Sequence, residues 1–206
     1  MKSSQLFYNK FHKSARPQAK IISKNNFTYA VILDLFKETV KNTNNLNILD
    51  FGCGVGTLDI YLSSIGNNVI GFDISNTAVN LANENARLNS LSGRAKFYTN
   101  DFILNYKNFN KFDLIICTEV LEHLEDPKKA LKEVLRISKK YVLLSVPNEP
   151  LFLLSNFTQW GKDIGHINHW TFLGFEKFVK KNAGINVKIL SRKYPFPWTM
   201  LVLEKQ

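Results

Sequence analysis

The stretch ILDFGCGVG, residues 48–56, sets Gly52, Gly54 and Gly56 at alternate positions directly after an apolar run, with Asp50 just ahead of them. Glycines so placed let the backbone turn tightly and let a ligand lie where a Cβ would intrude. The spacing is G-x-G-x-G, and Thr57 stands where a dinucleotide fingerprint needs its third glycine. The Lys-Ser/Thr pair of a P-loop is missing as well. A carboxylate beside such a loop repels a pyrophosphate and attracts a cation. The loop therefore suits a cationic nucleoside without phosphates.

Further acids close the next two apolar runs. Asp73 ends NVIGFD, 17 residues after Gly56, where a carboxylate can accept both hydroxyls of a ribose. Asp101 ends AKFYTND, with Phe102 behind it. That carboxylate can accept from an adenine amino group while the ring packs on apolar neighbours. Taken singly, each acid is more often a helix cap. Acids at three successive strand ends read as one binding wall.

Two later segments carry proton-transfer chemistry. TEVLEH supplies Glu119, Glu122 and His123, and GHINHW supplies His166, His169 and Trp170, so three of the chain's four histidines fall here. In the preferred reading His123 or His166 is a general base for an acceptor hydroxyl, with Phe152, Phe157, Trp160 and Trp170 walling an apolar acceptor pocket. In a second reading Glu119, Glu122, His123 and His166 hold a divalent cation that lowers the pKa of that hydroxyl. In a third these side chains only cap a helix and order a loop. The first reading expects no metal.

These residues need a scaffold that brings strand ends together. Short runs rich in Ile, Val and Phe alternate with amphipathic segments, which predicts strands near 46–51, 68–73, 94–99, 112–118 and 140–146 and helices near 56–65, 75–89 and 127–138. Such βα alternation implies a mainly parallel sheet with helices on both faces and ligands at the carboxyl ends of the strands. Ser75 is the expected N-cap of one helix, and Asp126 followed by Pro127 that of another. Helices are also predicted at 27–41 and around 4–13, and a further one ends at Gly184. The runs near 186–191 and 199–204 suit an antiparallel pair at the sheet edge.

At 206 residues, 45% hydrophobic and 21% charged, the chain reads as one α/β domain, 1–206. It comprises an N-terminal helical lid (1–45), a cofactor-binding core (46–146) and a substrate-side insertion with the last strands (147–206). Cys53 and Cys117 form no disulfide framework, and no stretch is long and apolar enough to span a membrane, so a soluble, cytoplasmic protein is expected. The net charge of +10 is concentrated early, with Lys10, Lys13, Arg16, Lys20 and Lys24 all preceding the first acid, Asp34. A nucleic acid or another anionic surface is one partner for such charge; a solvated lysine face is the simpler reading.

The residues quoted above resemble class I S-adenosylmethionine-dependent methyltransferases. LDFGCGVG is similar to their first motif, Asp73 to their ribose acid and NDF at 100–102 to their adenine contact. FDLIICTEVLEHLEDP, 112–127, is similar to the fourth-strand motif of a subgroup that includes ubiquinone-pathway O-methyltransferases. The resemblance covers 46–146, and GHINHWTFLGFEKFVKKNAG extends it less specifically. It implies a Rossmann-like, seven-stranded, mostly parallel sheet. It also implies S-adenosyl-L-methionine as cofactor and S-adenosylhomocysteine as product, held by Asp50, Phe51, Gly52, Cys53, Gly54, Gly56, Asp73, Ile74, Asp101, Phe102 and Glu119. The expected activity is methyl transfer to a small-molecule acceptor, at a hydroxyl. The E-x-x-E-H spacing also resembles the metal site of small-RNA 2′-O-methyltransferases, with His166 four residues before the Trp170-Thr171 pair, so metal-assisted RNA methylation is the alternative. A nicotinamide oxidoreductase on the same fold is disfavoured by the glycine spacing, and a non-catalytic cofactor-binding module is a third class.

Overall fold

The computed structural model describes residues 2–14, 27–40, 43–99, 112–149 and 165–206. Asp101, Phe102, Arg16, Lys20, Lys24, Phe152, Phe157 and Trp160 lie outside the described residues. In chain order the elements are α1 (Lys2–Ser14), α2 (Phe27–Thr39), β1 (Asn47–Phe51), α3 (Thr57–Ser64), β2 (Asn68–Asp73), α4 (Asn76–Leu88), β3 (Ala95–Thr99) and β4 (Phe112–Thr118). There follow a 3-10 turn (Leu121–His123), α5 (Pro127–Ile137), β5 (Ser138–Pro147), α6 (Phe172–Asn182), β6 (Val187–Lys193) and β7 (Trp198–Lys205). The seven strands form one mixed, mostly parallel sheet in the order β3-β2-β1-β4-β5-β7-β6. No helix among the described residues is long and apolar enough to cross a membrane.

The chain divides into two compact units, Met1–Leu114 and Ile115–Gln206, with the boundary inside β4. In the first unit β1 pairs in parallel with β2, and β2 with β3, placing Phe51 beside Phe72 and Asp73 beside Thr99. The carboxyl ends of these strands therefore lie side by side, which is where the predicted ligand acids sit. Helix α4 begins as expected: the Ser75 hydroxyl accepts the N–H of Ala78 at 3.2 Å. Its buried residues Ala78, Val79, Ala82, Asn85 and Ala86 recur at helical spacing, and the small alanines allow close packing on β2 and β3.

In the second unit Asp126 caps α5 by accepting the Lys129 N–H at 2.9 Å, with Pro127 in the first turn. Ala130, Leu131, Val134, Leu135 and Ile137 form its buried stripe, and lysines occupy the outer face. The last strands differ from the sequence order: β7 lies between β5 and β6 and is antiparallel to both. The reason lies in burial, because Thr199 through Leu203 are fully enclosed whereas β6 alternates half-buried and exposed residues, the pattern of an edge strand.

Candidate active site

Strand β1 ends in the glycine turn, which is folded by its own backbone. Gly52, Gly54 and Gly56 all have positive φ, at 88°, 54° and 73°. The N–H groups of Gly52 and Cys53 both donate to the Phe72 carbonyl, at 2.8 and 3.0 Å. Gly56 opens α3 from the left-handed region, and a Cβ there would meet Phe97 Cζ at 2.7 Å. Glycine is required at 56 on both counts. The side chain of Phe51 is buried, and that of Cys53 packs among Ile60, Val79, Ala82 and Phe97. Burial pushes the Cys53 thiol well up, so what this residue offers a ligand is backbone.

Asp73, at the end of β2, reaches back into this turn. Its Oδ2 accepts the Gly54 N–H at 2.9 Å and its Oδ1 the Ser75 N–H at 2.7 Å. Burial raises its pKa, while these two donors and the nearby His12 oppose the rise. Helix α1 docks on the same corner: Gln5 Nε2 donates to the Ile74 carbonyl at 3.0 Å, and Asn9 Oδ1 accepts from the Ser75 hydroxyl at 2.9 Å. Asp50 is buried beside the loop and meets the carboxyl group of Asp59, from the first turn of α3. Sequence reasoning passed over Asp59, since an acid in a first helical turn reads as an ordinary response to the helix dipole.

The second unit carries the Glu and His residues. Glu119 follows β4 with φ at 56°, and its N–H donates to the Ser145 carbonyl at 3.1 Å. Its Oε1 accepts from the Ser145 hydroxyl at 2.7 Å and its Oε2 from Trp198 Nε1 at 2.9 Å. Burial pushes its pKa up to about 7, against the pull of those donors. The 3-10 turn then buries Glu122 and sets His123 beside it. The segment GHINHW is laced to this turn: the N–H groups of Ile167 and Asn168 both donate to the Glu122 carbonyl at 2.9 Å, and Asn168 Nδ2 donates to the Leu124 carbonyl at 2.6 Å.

That lacing assembles a cluster. The His123 and His166 rings lie 4.9 Å apart between centroids, and His123 Nδ1 meets the Gly165 carbonyl at 3.0 Å. One carboxylate oxygen, Glu149 Oε1, lies 3.4 Å from the Nδ1 atoms of both His166 and His169. Carbonyl and carboxylate partners at Nδ1 favour the tautomer with its proton there, which leaves the lone pair on Nε2. Burial pushes His123 down to about 4 and lowers His166 as well, so both rings are neutral near pH 7. Ligand atoms of Glu122, His123 and His166 all lie within 4.8 Å of one another, a spacing that could hold a metal ion. Among the described residues, neither oxygen of Glu122 has a hydrogen-bond partner, although the residue is only 1% exposed. Burial, then the charge of Glu119, holds its carboxyl well above the usual range.

The structure thus brings together Glu122, His123 and His166 of the expected set, with Glu119 bound to Ser145 and Trp198. Sequence reasoning missed Glu149, Ser145 and Trp198. Glu149 was detectable by the same signal that picked out Asp50 and Asp73, an acid at the carboxyl end of a strand.

A family model described as a methyltransferase domain matches residues 24–187. The ubiquinone biosynthesis O-methyltransferase of Pelagibacter ubique is 30% identical over 151 residues, which cover 71% of this chain and 61% of that protein. The chain thus spans about three fifths of that relative's length. Magnesium protoporphyrin IX methyltransferase from Synechocystis PCC 6803, crystallised with bound SAH, matches with a TM-score of 0.72 at 20% identity, covering 99% of this chain and 95% of that one. The methyltransferase domain of bacterial CtHen1-C matches at 0.66 and 19% identity, covering 86% and 96%. The two structural likenesses establish the fold, and the family match, which spans well over half of the residues, establishes membership. The chain belongs to the methyltransferase domain family.

Proposed function

We propose that the protein transfers a methyl group from S-adenosylmethionine to a hydroxyl of a small-molecule acceptor. The observation that carries this reading is the Asp73–Gly54 hydrogen bond, which sets the carboxylate we assign to the ribose against a glycine loop that lacks a phosphate-binding lysine, in a chain of this family. The cofactor fits the residues present. The loop has no lysine to bind phosphate, and two carboxylates, the buried Asp50 and the half-buried Asp73, lie beside it. Asp73 would hold the ribose hydroxyls and Asp50 the methionine ammonium group. When bound, the cofactor supplies an electrophilic methyl group on a sulfonium.

The chain's own contribution to the chemistry is a proton acceptor for the acceptor hydroxyl. His123 and His166 are neutral, and their Nδ1 contacts orient Nε2 as the basic atom. The names of the ubiquinone-pathway relatives support an oxygen acceptor on a small molecule.

The close packing of Glu122, His123 and His166 favours a second reading, in which these residues hold a divalent cation. Glu122 fits it, because a buried carboxylate is costly unless a cation or donor faces it, and among the described residues its oxygens accept no hydrogen bond and have only His123 Nε2 at 3.8 Å. Such an ion would lower the pKa of a bound hydroxyl. Incubating a cell extract with the protein and methyl-labelled cofactor, followed by mass spectrometry, tests the function. Label appearing in a small molecule supports it. Label confined to RNA or protein, or no label despite bound cofactor, refutes it.

A further inference from the structure

We infer that Asp50 and Asp59 hold a single proton between them beneath the glycine loop, and that a cationic ligand seating on the loop displaces it. Asp59 is then a positioning residue that acts through Asp50. The inference rests on the proposal that the ligand is a sulfonium cofactor, and it adds to that proposal a proton released on binding.

The geometry begins with burial: Asp50 is 4% and Asp59 0% exposed. Among the described residues no donor of another residue pairs with Asp50 Oδ1 or with either oxygen of Asp59, which has only its own backbone N–H close by. Two ionised carboxylates facing each other without a donor repel strongly in a medium that screens them poorly. With a proton on Asp50 the same contact becomes a hydrogen bond, in which Asp50 donates and Asp59 accepts. Among the described residues, the remaining titratable groups around the pair offer no cation. Asp73 approaches from the end of β2, the Cys53 thiol from the loop and Tyr29 from α2. Among the described residues the basic group nearby is His12 of α1, and its charge acts on Asp73. Desolvation acts in the same direction, raising both acids, Asp59 to about 7. The pair is coupled, so its protons belong to the two residues jointly.

A cationic ligand changes this balance. An ammonium group beside the loop supplies the missing positive charge, and the shared proton leaves to solvent as Asp50 ionises. Binding therefore strengthens as pH rises, by up to about tenfold per pH unit while the pair still carries its proton in the free protein.

Three measurements test this. Calorimetric titration of the wild-type protein with S-adenosylhomocysteine in buffers of different ionisation heat should show close to one proton released. No release overturns the inference. Asp59→Asn places an amide donor against Asp50 and keeps it ionised, so the dissociation constant should lose most of its pH dependence between about pH 5.5 and 7.5. An unchanged slope overturns it. Infrared difference spectra of the free proteins near neutral pH should show one carboxylic-acid carbonyl band in wild type that Asp59→Asn lacks, and identical spectra overturn the shared proton. A wild-type protein that binds no S-adenosylhomocysteine at any pH refutes the proposed function, and the infrared comparison then still decides the proton.

Discussion

Asp73 accepts the backbone N–H of Gly54 at 2.9 Å and so ties the end of β2 to the middle of the glycine loop. With Ser75 N–H on its other oxygen, the carboxylate is aimed by two backbone donors that a substitution cannot remove. Asp73→Ala should weaken S-adenosylhomocysteine binding by about 1–3 kcal/mol, the scale of losing charge-assisted hydrogen bonds. Calorimetry reads the change directly. An unchanged dissociation constant would place the ribose elsewhere.

The neutral state of His123 and His166 makes their roles separable from cofactor binding. His123→Ala and His166→Ala should each lower kcat by about a hundredfold or more, the usual contribution of a general base, and leave the S-adenosylhomocysteine dissociation constant within about twofold. Treatment with EDTA divides the two readings of the cluster. If His123 and His166 act only as bases, activity survives chelation. If they share a cation with Glu122, activity falls and returns with Mg or Mn, and Glu122→Gln abolishes the rescue.

Much of this arrangement was legible before the fold was known, for reasons that differ by residue. Strand ends at Phe51, Asp73 and Thr118 and the caps Ser75 and Asp126 were readable because apolar periodicity and N-cap chemistry act over a few residues. The place of β7 between β5 and β6 was not, because strand order depends on long-range burial that no local pattern encodes. The two histidine segments were picked out by composition alone. Their meeting depends on Asn168, whose side chain binds the Leu124 carbonyl across 44 residues, and a lone Asn in a loop carries no such signal. Asp59 was missed for a similar reason: only the fold shows that its carboxyl group faces Asp50 and not water.

Burial raises Asp59 from its ordinary value of 3.8 to about 7. An acid whose folded pKa exceeds its unfolded pKa keeps, when folded, a proton that the unfolded chain sheds. The contribution of Asp59 to stability must then fall as pH rises from about 4 to about 7 and level off above. Asp50, Glu119 and Glu122 act in the same direction, whereas His123 and His166, whose folded values are lowered, oppose the decline below about pH 6.5. Asp59→Asn should flatten it, by an amount on the order of a few kcal/mol across that range. Urea unfolding at pH 5 and pH 7.5 measures the slope in each protein, and parallel slopes would contradict the burial argument.

Gly71 offers a test of how tightly the floor beneath the loop is packed. A Cβ built there would lie 2.6 Å from Phe97 Cδ1, 2.8 Å from Cys53 Sγ and 2.9 Å from Cys53 Cβ, all inside contact distance. Gly71 sits in the middle of β2, in register with Asp50 on one side and Phe97 on the other, so the backbone has little freedom to retreat. Gly71→Ala should therefore cost about 1–3 kcal/mol by overpacking, which in a chain of this size lowers Tm by roughly 2–12 °C. Gly93→Ala is the matched control: a Cβ there meets nothing within 4 Å, and its stability should stay within about 0.5 kcal/mol of wild type. Because Cys53 makes two of the three close contacts, Cys53→Ala in the Gly71→Ala background should cost less than in wild type, and a double-mutant cycle resolves that coupling. Strict additivity would show that the strain is borne by Phe97 and by the Cys53 Cβ, which alanine keeps, and not by Sγ.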